Sequence, residues 1–130
     1  MEVKYLWDTN TVIYYLQGHF LHSAELFTDS LLMHAHPAVS VITEVGLLCW
    51  KTANTKNLEV VHSVINAIRV FELEKSIKLQ TAKICRVHRI KLPDAIIAAT
   101  ALVYDLTLLT SNVADFKNVT DLRIVNPHDT

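Results

Sequence analysis

The chain has 130 residues, 51% of them hydrophobic, and a formal net charge of −1 when its histidines are neutral. This length predicts a single domain over residues 1–130, and the hydrophobic share excludes a disordered chain. The near-neutral charge excludes the uniformly basic surface of proteins that bind nucleic acid broadly, but it is compatible with a local basic face.

The first half of the chain alternates between apolar runs that predict strands and amphipathic stretches that predict helices. In order, these are a strand at Val3–Trp7, a helix capped by Thr9 or Asn10 and closed by Gly18, a helix at Phe20–Met33, a strand at Pro37–Ile42, a helix capped by Thr43 that runs to about Ala53, and a polar loop at Asn54–Asn57. Gly18 suits the end of a helix because it adopts the left-handed backbone conformation easily.

The second half continues the same alternation. In order, it contains a helix at Leu58–Ile68, a short strand at Val70–Leu73, a basic helix at Lys75–Arg89, a helix at Asp94–Tyr104 preceded by Pro93, a strand at Leu106–Leu109, a short helix capped by Asn112, and an edge strand at Arg123–Val125. The helix Asp94–Tyr104 is apolar on nearly every side, which predicts that it is buried. The alternation predicts an α/β fold of three layers, α/β/α, around a mostly parallel sheet.

Two further features concern the compartment. The N-terminal residues lack the apolar core of a secretory signal, and no apolar run approaches the roughly 20 residues that span a bilayer. Cys49 and Cys85 lie in apolar helical stretches without metal-ligand spacing, so we expect buried free thiols in a reducing environment. A cytoplasmic protein is therefore expected.

Four carboxylates each follow a short apolar run. They are Asp8, Glu44, Asp94 and Asp115, after the runs Val3–Trp7, Val39–Ile42, Ile90–Leu92 (the weakest) and Leu106–Leu109. In open α/β sheets, sites form beyond the carboxyl ends of the strands, so these side chains are expected at one edge. Like charges gathered there would repel one another unless a divalent cation lay among them. Mg²⁺ or Mn²⁺ held by carboxylates is typical of phosphodiester cleavage.

A purely local interpretation exists for each carboxylate. Glu44, Asp94 and Asp115 all lie in a predicted first helical turn, where the helix dipole stabilises a negative charge. Asn112 and Asp115 also resemble a capping box. Asp8 is different, because it ends a strand that should be buried, where an unpaired carboxylate is costly. The coincidence of four such positions favours the metal site.

Four segments resemble the sequence motifs of PIN-domain proteins. They are DTNTVIYYL at residues 8–16, SVITE at 40–44, KLPDAIIAATA at 91–101 and LTSNVADF at 109–116. Their order and spacing, and the total length, extend this resemblance over the whole chain as one PIN-like domain. Within that superfamily, the chain most resembles the VapC-type toxins of toxin–antitoxin pairs.

The resemblance implies a metal-dependent endoribonuclease, with Asp8, Glu44, Asp94 and Asp115 as the catalytic and metal-binding acids and with Mg²⁺ or Mn²⁺ as cofactor. It implies that Asn10, Thr110 and Asn112 are neighbours that orient ligands or water. Family members carry the fourth acid at the position of Asn112 or at that of Asp115; here Asn112 is neutral, so the role passes to Asp115. Cleavage would leave a 5′-phosphate and a 3′-hydroxyl.

The same resemblance implies RNA as substrate, a small cognate antitoxin as partner, and a homodimer. Apolar residues of the early helices also predict an isologous dimer contact: Phe20, Leu21, Phe27, Leu31, Leu32 and Met33. A basic group precedes Asp94, and it is either a solvated helix face or a contact for phosphates: Lys83, Arg86, Arg89 and Lys91.

Two other functions are compatible with parts of the pattern. An aspartate after the first strand is also the nucleophile of haloacid-dehalogenase-like phosphatases, but their Asp-x-Asp motif would need an acid at Asn10. A catalytically silent PIN-like interaction module would keep the acids only as helix caps. The histidines lack zinc-ligand spacing, and no Gly-rich phosphate loop is present.

Overall fold

A computed structural model of the chain describes residues 2–50 and 55–129, with the backbone alone for residues 55–57. The strands β1 to β5 are Tyr5–Trp7, Ala38–Ser40, Arg69–Phe71, Thr107–Leu109 and Ile124–Val125. The helices α1 to α7 are Thr9–Gln17, His22–His34, Val41–Leu48, Thr55–Ala67, Lys75–Val87, Leu92–Val103 and Val113–Phe116, followed by a 3-10 turn at Pro127–Asp129. The 3-10 turn was not predicted from the sequence.

The strands form one parallel sheet in the order β3-β2-β1-β4-β5. In the centre, β1 and β4 run in register, with Trp7 opposite Leu109. The chain winds outward from this central pair in two directions, so the strand order reverses between β1 and β4. Such a reversal opens a crevice at the carboxyl ends of the two strands.

Two apolar cores cover the two faces of the sheet. On one face, Leu6 and Leu108 pack with α5 and with α6, whose residues from Ala95 to Ala101 are all buried. On the other face, Trp7 and Leu109 pack with residues of α1, α3 and α4. The predicted three-layer α/β/α fold and the buried α6 are confirmed. Small alanine side chains let α6 lie close to the sheet.

Three predicted boundaries are wrong because the helix caps were misassigned. Ser40, not Thr43, caps α3: its Oγ accepts a hydrogen bond of 3.1 Å from the Ile42 N–H, which ends β2 two residues early. Asp8, not Thr9 or Asn10, caps α1. The prediction for Gly18 is confirmed, since it ends α1 with φ of +69°.

The apolar run Ile90–Leu92 is not a strand; Ile90 and Lys91 form a connection, and α6 already begins at Leu92. Pro93 in the first turn favours that early helix start. Likewise α3 ends at Leu48 rather than near Ala53, and residues 51–54 lie outside the described part of the chain. Of the predicted loop at 54–57, residue 54 is among those outside the described part, and the other three belong to α4, which starts at Thr55.

The remaining corrections concern exposure. Cys49 and Cys85 are free but exposed, because one caps the C-terminus of α3 and the other lies on the solvent side of α5. Phe20 is buried against Tyr15 and His128, so it does not belong to an exposed apolar surface. None of the helices in the described ranges has the length and apolar character that crossing a membrane requires.

Candidate active site at the carboxyl edge of the sheet

Asp8 lies at the point where the strand order reverses. It follows β1 directly, is only 4% exposed, and donates its N–H to the Leu109 carbonyl at 3.0 Å. Its carboxylate accepts two hydrogen bonds of 2.8 Å, one from the Thr9 N–H at Oδ1 and one from the Thr110 hydroxyl at Oδ2. Both oxygens therefore have fixed positions, and the helix that Asp8 caps begins at the crevice.

Thr110 is fully buried at the end of β4, where it connects two parts of the edge. Its hydroxyl donates to Asp8 and accepts a hydrogen bond of 3.0 Å from the Asn112 N–H. The Asn112 side chain makes no cap bond, so the predicted capping box with Asp115 is not formed. Asn10 is exposed in the first turn of α1.

A contact between two threonines beside the site was not predicted from the sequence. The hydroxyls of Thr9 and Thr43 lie 2.8 Å apart and join the first turns of α1 and α3. The backbone N–H of the same Thr9 binds Asp8, so this pair ties α3 to the carboxylate. The sequence did contain a signal for this contact. Serine is a stronger helix cap than threonine, and a cap at Ser40 places Thr43 inside the helix.

Glu44 occupies the first turn of α3 and is half-buried. β2 pairs with β1, so its carboxyl end brings Glu44 to the same edge of the sheet as Asp8. Within the described residues, however, the charges that raise the pKa of Asp8 are those of Asp94 and Asp115. The position of Glu44 in the first turn of α3, after β2, is compatible with its predicted place among the site acids.

Asp94 reaches the edge by a different route from the one predicted. It lies in the first turn of α6, which leads back into β4 and therefore runs antiparallel to the strands. The N-terminus of α6 consequently lies at the carboxyl edge without a preceding strand. Asp115 reaches the same edge from the short helix α7, just after β4.

Two of the three acids, Asp8 and Asp94, have raised pKa values. The pKa of Asp8 is raised above its ordinary value of 3.8, first by burial and then by the charges of Asp94 and Asp115, although the Thr110 and Thr9 hydrogen bonds oppose this. The pKa of Asp94 is raised by burial and by Asp115, while Lys91 lowers it. A surplus of negative charge therefore lies at the crevice.

A cavity of about 230 Å³ opens beside these acids, and both Asp94 and Asp115 line it. Two of the four predicted basic residues, Arg89 and Lys91, line it as well, and His88 and Asn118 complete its polar wall. Lys83 lines a neighbouring cavity. Arg86 is exposed on α5 and lines neither, so the four basic residues do not line one common cavity.

The donor chemistry of the site fits a hard divalent cation. Carboxylate oxygens are the ligands that Mg²⁺ and Mn²⁺ prefer, and a cation would relieve the repulsion that raises the pKa of Asp8 and Asp94. As they stand, no three His, Cys, Asp or Glu side chains in the described ranges are gathered closely enough to enclose an ion. Binding an ion among three carboxylates would therefore require them to come closer together.

Comparisons with known proteins agree with the fold. The family model for the PIN domain matches residues 5–122. The fold is similar to that of a VapBC-1 structure from nontypeable Haemophilus influenzae, with a TM-score of 0.81 at 23% identity over 96% of this chain and 98% of the other. It is also similar to a DNA-bound VapBC from Salmonella typhimurium, with a TM-score of 0.79 at 25% identity over 96% and 98%.

A toxin–antitoxin complex from Klebsiella pneumoniae is similar too, with a TM-score of 0.72 at 25% identity over 95% of this chain and 98% of the other. No curated protein matches the chain significantly. The resemblance to PIN-domain proteins of the VapC type is confirmed. The family model spans most of the sequence, from the first strand to the turn before the last strand. The chain therefore belongs to the PIN domain family.

Proposed function

We propose that this chain is a metal-dependent endoribonuclease and the toxin of a toxin–antitoxin pair. One observation carries the nuclease proposal: the buried Asp8, held by two hydrogen bonds where the strand order reverses, interacts with the charges of Asp94 and Asp115. Membership of the PIN family supports hydrolytic nuclease chemistry. RNA as the substrate, the identity of the metal and the four-acid set including Glu44 are parts of the same proposal.

In this proposal, the residues of the chain have distinct tasks. Asp8 is the fixed ligand, because Thr9 and Thr110 hold both of its oxygens in place. Asp94, Asp115 and Glu44 supply the further negative charge that holds the cation. Asn10 and Asn112 are close enough in sequence to these acids to orient water or substrate.

The bound cation would neutralise charge on the scissile phosphate and favour ionisation of the attacking water. Its binding can be measured without any substrate. Mn²⁺ at about 100 times its dissociation constant should stabilise the folded chain by about 2.7 kcal/mol, seen as a raised melting temperature. Asp94→Asn should abolish most of that shift, because it removes a ligand charge while keeping the shape of the side chain.

Cleavage is tested with purified protein and single-stranded RNA in Mg²⁺ or Mn²⁺. Asp8→Asn and Asp94→Asn should each remove activity while circular dichroism shows an intact fold. Glu72→Gln is the matched control, since Glu72 also follows a strand at the carboxyl edge, the outer strand β3, but is exposed. Full cleavage by either aspartate variant would contradict the assignment, as would equal loss in the control.

The antitoxin partner is proposed from the related structures, which include a toxin–antitoxin complex. A suitable inhibitor would place an Arg or Lys among the site acids, where it would pair with carboxylates and exclude the metal. Its apolar side chains could bind elsewhere, in an apolar cavity of about 230 Å³ behind β1. Trp7, Leu32 and Val64 are among the residues that line this cavity. The partner gene should therefore encode a short protein whose C-terminal tail mixes apolar and basic residues.

Expression in a bacterial host tests this part. The chain alone should arrest growth, and co-expression of the neighbouring short protein should restore it. Val64→Glu should weaken rescue without changing cleavage by the free protein, since Val64 lines the apolar cavity and a neighbouring one along α4 but not the cavity at the acids. Harmless expression together with no RNA cleavage in Mn²⁺ would favour the alternative, a silent PIN-like interaction module.

A further inference from the structure

Two cavities on one side of the carboxylates share their lining. The first, of about 230 Å³, contains Asp94 and Asp115, and the second, of about 150 Å³, continues along α5 past Lys83 and Val87. His88, at the C-terminal end of α5, lines both, as does Val119. The two cavities therefore form one groove, which we call the α5 groove. It begins at the acids and runs away from them.

The α5 groove is acidic at one end and cationic along its length. Arg89 and Lys91 line the part next to the acids, and Lys83 lines the far part. Within the described ranges, none of these three cations forms a salt bridge; the ion pair that is present joins Arg123 to Asp105 elsewhere. Cations that the protein leaves without salt bridges are available to an anionic ligand.

The size and chemistry of the groove suit a single polynucleotide strand. Each cavity is below the roughly 300 Å³ at which pockets enclose a whole drug-sized ligand, so each can take part of one nucleotide but not a helix. His88 and Asn118 face the same groove and offer a ring and an amide to an unstacked base. A strand with a phosphate at the acids would pass Arg89 and Lys91 first and Lys83 later.

We propose that the α5 groove binds the single-stranded RNA on one side of the scissile phosphate, with Lys83, Arg89 and Lys91 contacting its backbone. This inference rests on the proposed function for the identity of the ligand. It also divides the basic group of the sequence: Arg86 takes no part, although it is a cation on the same helix only three residues from Lys83.

The test compares Lys83→Ala with Arg86→Ala. Both residues are exposed on α5, neither touches the acids, and only the first lines the groove. Binding of a fluorescein-labelled single-stranded RNA of mixed sequence is followed by anisotropy in EDTA, so that cleavage does not interfere. Losing one phosphate contact should lower affinity about fivefold at about 0.1 M salt and reduce the slope of log K against log salt by about 0.7.

Lys83→Ala and Arg89→Ala should each show this loss, while Arg86→Ala should match the wild type in affinity and slope. Equal losses for Lys83→Ala and Arg86→Ala would overturn the groove, because they would mean binding to a diffuse cationic face. Equal affinity for a fully paired duplex would also overturn it.

The two proposals fail in different ways. RNA that binds with these differences but is not cleaved in Mn²⁺ would remove the nuclease and leave the groove. RNA that is cleaved while Lys83→Ala binds and cleaves like the wild type would remove the groove and leave the nuclease.

Discussion

Replacing Thr110 by valine should reveal how strongly the fold depends on the ionised form of Asp8. The substitution keeps the shape of a fully buried side chain and removes its hydroxyl, which donates to Asp8 at 2.8 Å and accepts from the Asn112 N–H at 3.0 Å. A hydrogen bond to a charged group contributes about 1.5–3 kcal/mol and a neutral one about 1 kcal/mol. The free energy of unfolding at neutral pH should fall by about 3 kcal/mol.

The loss should depend on pH in a defined direction. The Thr110 bond lowers the pKa of Asp8, which burial raises, so the bond stabilises the ionised carboxylate. Below the raised pKa of Asp8, the carboxyl is protonated and the hydroxyl faces a neutral acceptor. The destabilisation by Thr110→Val should therefore shrink to about 2 kcal/mol as the pH falls through that pKa.

Urea unfolding in EDTA at neutral and at mildly acidic pH measures both quantities. Thr100→Val is the control, because the buried Thr100 hydroxyl donates at 2.7 Å to the neutral Ile96 carbonyl within α6. It should lose about 1 kcal/mol at both pH values. A Thr110→Val loss that is independent of pH, or no larger than that of Thr100→Val, would refute the reasoning.

Three further predictions follow from other parts of the structure. In EDTA at neutral pH, Asp94→Asn should stabilise the fold by at most about 1 kcal/mol, since water screens a partly exposed charge. The pKa of Asp94 is raised in the folded state, so this advantage should vanish in urea titrations as the pH falls through it, and a gain that persists in acid would contradict the cause. Gly18→Ala should lower the free energy of unfolding by about 1 kcal/mol through backbone strain at φ +69°, since open space surrounds the position, and an unchanged urea midpoint would be inconsistent with that strain. Sedimentation at tens of micromolar should show a dimer that Met33→Glu, at a side chain 74% exposed, converts to monomer, whereas a clean wild-type monomer would exclude the predicted interface.

Local chemistry accounts for what the sequence determined by itself. Alternating apolar runs and amphipathic stretches predicted the three layers and the parallel sheet, because burial patterns depend on the side-chain period of each element. The nearly all-apolar stretch after Pro93 predicted a buried helix, and Gly18 predicted a helix end. The motifs around Asp8 and Asp94 predicted the family, because each motif is a short, contiguous segment that can be recognised in the sequence.

Only the tertiary structure decided how the acids meet. Asp94 was predicted to follow a strand at residues 90–92. It reaches the edge instead because α6 runs antiparallel to β4, and that relation depends on packing and not on residues 90–92. Asp8, Asp94 and Asp115 are far apart in the sequence, and the fold brings the charges of Asp94 and Asp115 close enough to act on Asp8.

The same limit applies to the basic residues and to the caps. The sequence alone does not distinguish Lys83 from Arg86, because both are cations on the same helix. The position of α5 against α6 and the turn after α7 places Lys83 in a groove and leaves Arg86 outside it, in solvent. Thr43 was expected to cap a helix, but a cap at Ser40 turned it toward Thr9 instead. Sequence patterns specify which residues are apolar, acidic or basic; the crossing of helices over the sheet determines which of them share a site.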